Sequence, residues 1–246
     1  MRWPDEGLYA GPAGVAIVFG DLGGHTSRDL RAAGWDVRLV RPGDDATADD
    51  RGEAGAAGVL TIRDDRVEAD DASADLVILI DALEYALDDA ALLDEAARLV
   101  RPGGTLVLRV PGATPLAWLD ARNIYRYLSE ATGRGTPLPE MRRVGFRRRY
   151  APEEITTLVE SAGLRVGEST RGGWGLSELV YLVGGVAFRW ARPHPLFDRV
   201  RRAYGSLDHA EATVPGTYYL TMFTEKADGM RPRATGIANP GAKDRP

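Results

Sequence analysis

The sequence predicts an α/β fold: a doubly wound, mostly parallel sheet of seven strands, with helices on both faces and a helical cap. Three observations carry that prediction. Residues 76–80 are an unbroken run of branched apolar residues, short enough for a strand and apolar enough to be buried on both faces. Asp88 and Asp89 then open a stretch in which Leu92, Leu93, Ala96, Leu99 and Val100 recur at helical spacing, with the carboxylates at the positive end of the helix dipole. Pro102 stops that helix, Gly103 and Gly104 turn the chain, and residues 105–110 form the next strand. A strand, crossover helix, strand unit of this kind is right-handed with parallel strands.

The remaining elements follow in order. Residues 1–13 read as an N-terminal arm in which Trp3, Leu8 and Tyr9 are the docking residues. Residues 15–19 are a first strand ending at Gly20, and the turn through Asp21, Leu22, Gly23 and Gly24 leads into a helix over 27–33 that Gly34 closes. Strand, glycine turn and helix N-terminus together make a place where backbone amides hold an anion or a cofactor. A second strand spans 35–40, a weak helix 46–56 and a third strand 59–62; the polar loop 68–73 precedes the central strand. Beyond Pro111 the pattern predicts a helix over 116–131, an arginine-rich run from Arg142 to Tyr150, and a helix over 152–161 with Pro152 in its first turn, where its missing amide costs nothing. A strand begins at Leu164, and a glycine bend at 172–175 precedes an apolar helix over 176–188. A helix over 196–204, a last strand over 217–224 and a disordered tail over 228–246 complete the chain. The domain thus runs from 14 to 227, with its cap built from 112–150 and 172–212.

Composition narrows the function. A chain of 246 residues with 44% hydrophobic content supports one good core. No segment has the run of apolar residues that a spanning helix needs, and the N-terminus lacks a signal-peptide core, so a cytoplasmic protein is expected. Without cysteine there is no disulfide framework, thiolate nucleophile or cysteine-ligated zinc. Neither a His-Glu-x-x-His metal motif nor a Gly-x-Ser-x-Gly elbow occurs, and no metal is expected. Charge is divided unevenly: residues 1–111 hold 11 Arg against 22 Asp and Glu, whereas 112–246 hold 20 basic and 14 acidic residues. Such asymmetry suggests either two faces with different partners, an anionic substrate over the basic one, or merely solvated surfaces of opposite sign.

Residues 75–111, with Asp-Ala-Leu-Glu-Tyr just past the central strand and Arg-Leu-Val-Arg-Pro-Gly-Gly before the next, resemble the class I, Rossmann-like S-adenosylmethionine-dependent methyltransferases. The resemblance implies S-adenosylmethionine as cofactor, methyl transfer as activity and an antiparallel last strand. It also implies that the turn with Gly20, Asp21 and Gly24 wraps the methionine part. Asp64 or Asp65 would then take the adenine amino group, unless both are simply turn acids, and Ile80 and Asp81 would line the pocket. The glycine motif is degenerate. Val18 falls where the family has an acid, Leu22 where it has the middle glycine, and Arg41 where a carboxylate holds the ribose. Arginine has no acceptor to offer, so cofactor binding is either rearranged or lost. The alternative is a catalytically inactive methyltransferase-like binding or scaffold protein. A nicotinamide oxidoreductase fits worse, since the turn lacks the Gly-x-Gly-x-x-Gly order and no acid ends the second strand.

Several residues are candidates for chemistry. Asp81 stands at the carboxyl end of the central strand, where open sheets place ligands; as a structural residue it would cap the turn before Leu83. Tyr85 either orients the acceptor, faces the sulfonium with its ring, or is a buried structural tyrosine. His209 is the candidate base reaching over the pocket, and His25 lies in the glycine turn. The guanidinium groups between Arg142 and Arg149 suit a phosphate-bearing or otherwise anionic small acceptor, a glycosidic one included, or a solvated face. With Phe146 and Tyr150 beside them they also raise nucleic acid, against which the sequence pI of 5.4 counts. The apolar helix over 176–188 packs within the cap, packs against a second copy in a homodimer, or lies on a lipid surface; packing is the preferred reading.

Overall fold

The computed structural model describes residues 13–20, 25–42, 58–63, 66–114, 120–133, 145–188 and 216–227. In chain order the elements are β1 (Val15–Gly20), α1 (His25–Ala32), β2 (Asp36–Pro42), β3 (Val59–Arg63), β4 (Arg66–Val67) and β5 (Ala74–Ile80). A 3-10 turn (Leu83–Tyr85), α2 (Asp89–Leu99), β6 (Val100–Pro111), α3 (Ala121–Thr132) and α4 (Pro152–Ser161) follow, then β7 (Leu164–Gly172), α5 (Leu176–Phe188) and β8 (Tyr219–Lys226). The strands form one sheet in the order β4-β3-β2-β1-β5-β6-β8-β7. Strands β3, β2, β1, β5 and β6 run parallel, and β8 pairs antiparallel with both β6 and β7. The switch point lies between β1 and β5, so the crevice outside their carboxyl ends is where an open sheet of this kind receives a ligand.

The central strands read as continuous apolar runs because both of their faces are covered. Ile17, Phe19, Val77, Leu79, Leu106 and Leu108 point to one side, where Leu93, Ala96 and Leu99 of α2 and Ile155 and Val159 of α4 close over them. Ala16, Val18, Leu76, Ile78, Ile80 and Val107 point to the other, against Leu30 of α1. Each fully buried Leu or Ile contributes about 1.5–3 kcal/mol relative to leaving it in water.

Polar residues at the strand ends fix the register. Asp75 accepts from the Val15 amide at 2.8 Å and from Arg101 Nε at 2.6 Å, joining the starts of β1, β5 and β6. Asp88 caps α2, accepting from the Ala91 amide at 2.9 Å. At the other end of α2 the Lys226 ammonium donates to the carbonyls of Ala97 and Val100, both at 2.7 Å, completing bonds the helix leaves open.

The sheet has eight strands rather than the seven expected. The additional one, β4, is only two residues long and folds back antiparallel onto β3, too short to leave a periodicity in the sequence. Strand β6 begins at Val100, so the Pro-Gly-Gly stretch lies within the strand, at the register shift between the Ala74 and Leu76 pairings. The expected helix over 46–56, the helix over 196–204 and the tail over 228–246 fall outside the described residues.

Candidate functional site at the carboxyl edge of the sheet

At the carboxyl ends of β1 and β5 the backbone is tight. Gly20 has φ +85°, and a Cβ at this position would lie 1.6 Å from the Ile80 carbonyl oxygen, so only glycine allows the two strand ends to approach. One residue past Ile80, Asp81 is held at φ +52°, in the left-handed region that Asp enters more readily than most residues. The 3-10 turn that follows has Ala82 at its cap position and no side-chain cap. Asp81 therefore does not serve as that cap. Its carboxylate lies instead among three buried guanidinium groups, with Arg109 Nη2 at 3.7 Å, Arg122 Nη2 at 3.8 Å and Arg147 Nη2 at 3.9 Å.

Each arginine is delivered by a different element. Arg109 lies near the end of β6 with its guanidinium over the Tyr219 ring, 4.9 Å from the centroid. Arg122 sits in the first turn of α3 and donates to the Tyr85 hydroxyl oxygen. Arg147 belongs to the segment that crosses the strand ends. The Arg148 amide donates to the Glu84 carbonyl at 3.0 Å, the Tyr150 amide to the Pro111 carbonyl at 3.0 Å, and the Arg147 amide to Asn123 Oδ1 at 3.0 Å. Sheet edge, 3-10 turn and α3 are thereby laced together.

Two further carboxylates complete the cluster. Glu84 Oε1 accepts from Arg147 Nη2 at 3.2 Å, and Glu178 Oε1, from the first turn of α5, accepts from Arg147 Nη1 at 2.5 Å. Both acids are buried, yet among the described residues neither Glu84 Oε2 nor Glu178 Oε2 has a hydrogen-bond donor. Buried carboxylate oxygens without a donor are costly and mark a place where a donor belongs. Burial raises the Glu84 pKa, with the nearby Arg147 opposing. Burial also works against the Arg147 charge, but Tyr85, Glu178, Tyr218 and Glu84 around it outweigh that effect and it remains a cation. The Tyr85 hydroxyl is driven by burial well above its ordinary pKa, so it is a neutral phenol at physiological pH and not a phenolate base.

Arg148 and Arg149, the other described arginines of the run, are likewise engaged within the protein. Arg148 pairs with Asp89 at 2.6 Å, and Arg149 pairs with Asp120 at 3.1 Å while donating to the Tyr218 hydroxyl at 2.6 Å. Tyr150 is buried, its hydroxyl 3.1 Å from both the Leu83 carbonyl and Asp89. It is therefore not available to stack on a base. This part of the run is neither a solvated face nor an open basic stripe.

Of the residues singled out in the sequence, Gly20, Ile80, Asp81 and Tyr85 are brought to this edge. Val18, at the expected acidic position, is in the core, paired with Leu39 and Ile78. Arg41 is placed only by its backbone in β2, opposite Thr61. Asp21, Leu22, Gly24, Asp64, Asp65 and His209 lie outside the described residues. Glu84, Arg109, Arg122 and Glu178 were not singled out. Arg109 and Glu178 carry a detectable signal, each being a charge inside an otherwise apolar stretch. Among the described residues no group of three or more His, Asp or Glu could hold a metal, and no helix is long and apolar enough to cross a membrane. A cavity of about 560 Å³ opens elsewhere, beside Arg38, Leu60, Arg66, Glu68, Asp70 and Ser73. Its cations are paired with Asp36 and Asp71, and nothing converges on it as the arginines converge on Asp81.

For an adenosyl sulfonium cofactor the described edge offers Gly20, which presents no side chain, with Ile80 and Asp81 beside it. It departs from the expected pattern at Val18, which offers no carboxylate.

The sheet order and its helices make a methyltransferase-like α/β fold. Residues 18–108 match the family described as "Methyltransferase domain". It is 38% identical over 112 residues to dimethylglycine N-methyltransferase of Parasynechococcus marenigrum, covering 42% of this chain and 39% of that protein. It is 28% identical over 172 residues to ubiquinone biosynthesis O-methyltransferase of Pseudomonas aeruginosa, covering 68% and 70%. The relatives above 30% identity are thus matched over only 38–39% of their own length. Among solved structures, phosphoethanolamine N-methyltransferase 2 of Haemonchus contortus, in complex with S-adenosyl-L-methionine, superposes with a TM-score of 0.52 at 15% identity, covering 88% of this chain and 50% of that one. That likeness concerns the fold.

Proposed function

We propose that the protein is an S-adenosylmethionine-dependent methyltransferase acting on a small acceptor that carries an anionic group. The observation that carries the acceptor class is the convergence of Arg109, Arg122 and Arg147 at the carboxyl edge beside Asp81. Guanidinium groups in such numbers, buried and oriented by packing, suit a carboxylate or phosphate. When bound, the cofactor supplies a methyl group on a sulfonium. Gly20, Ile80 and Asp81 would hold it, together with Asp21, Gly24 and one of Asp64 and Asp65. The chain's own contribution is alignment. Buried tyrosines and arginines exclude water and fix the acceptor's anionic end, which sets the direction of its nucleophile. The similar proteins carry both N- and O-methyltransferase names, so the acceptor atom is left open.

Calorimetric titration with S-adenosylmethionine tests this reading. Saturable heat is expected, and none at millimolar cofactor would refute it. Val18 favours a second reading, a methyltransferase-like binding protein without catalysis, because a core valine stands where a carboxylate would contact the ligand. Under that reading anionic small molecules bind and the cofactor does not.

A further inference from the structure

Helix α5 is inside out at its start. Glu178 and Ser177 are fully buried, whereas Leu176, Leu179 and Val183 are 50%, 43% and 58% exposed. An amphipathic helix normally turns its apolar stripe to the core and its charges to water. What holds the reverse orientation is electrostatic: Glu178 Oε1 lies 2.5 Å from Arg147 Nη1 and 3.9 Å from Arg122 Nε, while its Oε2 is buried without a hydrogen bond. One carboxylate, aimed from the cap into a guanidinium pair, reproduces what an oxyanion ligand would present there.

We infer that Arg122 and Arg147 are the seat for the acceptor's oxyanion, a carboxylate or a phosphate, and that Glu178 occupies this seat as an internal stand-in which the ligand displaces. The inference rests on the acceptor class proposed above and adds the seat, its occupant and the moving part. Exchange of one oxyanion for another keeps both arginines paired, so no buried cation is stranded during binding. Glu178 recovers its hydration once displaced. With its anchor released, the first turns of α5 no longer have a reason to expose Leu176, Leu179 and Val183, and the helix turns about its axis or lifts from α3. Tyr85 stays in place because its hydroxyl, already receiving a hydrogen bond from Arg122, can donate its own proton to the incoming oxyanion.

The test uses the full-length protein and no cofactor, so its failure is separate from failure of the S-adenosylmethionine titration. Acetate and inorganic phosphate are titrated at constant ionic strength into the native protein, Glu178→Gln and the control Glu130→Gln, an exposed acid of α3 paired with Arg126. Glu178→Gln is expected to bind one of the two anions about tenfold more tightly than the native protein, a gain of about 1.4 kcal/mol. The anion that gains identifies carboxylate or phosphate as the natural group; Glu130→Gln gains nothing. In the native protein the same anion should speed amide exchange across residues 176–183 while residues 76–80 are unchanged, a readout that needs no variant to fold. Equal anion affinity in the native and Glu178→Gln proteins overturns the inference. So does exchange over 176–183 that is indifferent to both anions.

Discussion

Replacing Arg147 by Met tests the buried cluster most directly. Arg147 is the shared partner of Glu84 at 3.2 Å and Glu178 at 2.5 Å, and it also faces Asp81 at 3.9 Å. Methionine fills much of the same volume but leaves two buried carboxylates without their principal cation. Removing one member of a buried pair typically costs about 3–5 kcal/mol, against about 5–15 kcal/mol for a whole domain. A loss at the upper end of that range is expected at pH 8, because two acids rather than one are stranded. The deficit should shrink on acidification. Burial already raises the Glu84 pKa against the opposing Arg147; without Arg147 it rises further, so the folded protein binds that proton more strongly and stability returns as pH falls through the raised value. Urea unfolding of native and Arg147→Met proteins between pH 5 and 8 measures both effects. A double-mutant cycle with Glu178→Gln should give a coupling of more than about 1 kcal/mol, since the residues are in contact. A loss below about 1 kcal/mol, or a deficit that grows toward pH 5, would show that the cluster is not the buried ionic network described here.

Two further outcomes follow from residues at the two ends of the central strands. Gly20→Ala must move the Ile80 carbonyl and hold a side chain at φ +85°, so a loss of at least about 1–3 kcal/mol is expected together with loss of any S-adenosylmethionine heat; unchanged thermal unfolding would contradict the packing of the strand ends. The hydrogen bond from the Val15 amide, opposed by partial burial and aided by Arg101, lowers the Asp75 pKa. Its contribution is therefore present above the unfolded value near 3.8 and lost as pH falls through the lower folded value. Asp75→Asn should be less stable than the native protein at neutral pH, the gap closing only in acid; a gap independent of pH would remove the carboxylate from the account.

The parts of the fold legible in the sequence are those whose physics is local. The run from Leu76 to Ile80 and the Asp88 cap each announce an element through burial or capping. The N-terminal proline of α4 and the apolar composition of α5 do the same. Strand β4 left no such trace, because two residues have no period and owe their place to pairing with β3. At the site, Asp81 was legible from topology alone, as the residue at the carboxyl end beside the switch point. Its partners were not. Arg109, Arg122, Arg147 and Glu178 come from β6, α3, a connecting segment and α5, and only tertiary structure brings them to Asp81. The arginine run itself was visible, yet its sequence neighbours face different partners: Arg147 goes inward to Glu84 and Glu178, Arg148 to Asp89 and Arg149 to Asp120.

Those pairings also account for part of the charge asymmetry. Residues 1–111 are strongly acidic and 112–246 basic, which as a linear pattern suggests two surfaces awaiting different partners. In the folded protein Asp81, Glu84 and Asp89 from the acidic part meet Arg122, Arg147 and Arg148 from the basic part at the carboxyl edge. Some of the excess is thus spent within the molecule, joining α3 and the segment 145–150 to the sheet edge. The join is made where an open sheet of this kind receives a ligand, so on the proposed reading the charges that fasten these elements are the ones an anionic acceptor would contact. A purely structural clasp would be better served by apolar residues, since a buried ion pair rarely stabilises more than a hydrophobic replacement of the same volume. On the reading proposed above, three arginines and three acids at this one edge serve exchange with a ligand rather than stability, and Glu178, borne by the helix that exposes Leu176, Leu179 and Val183, is the member placed to exchange.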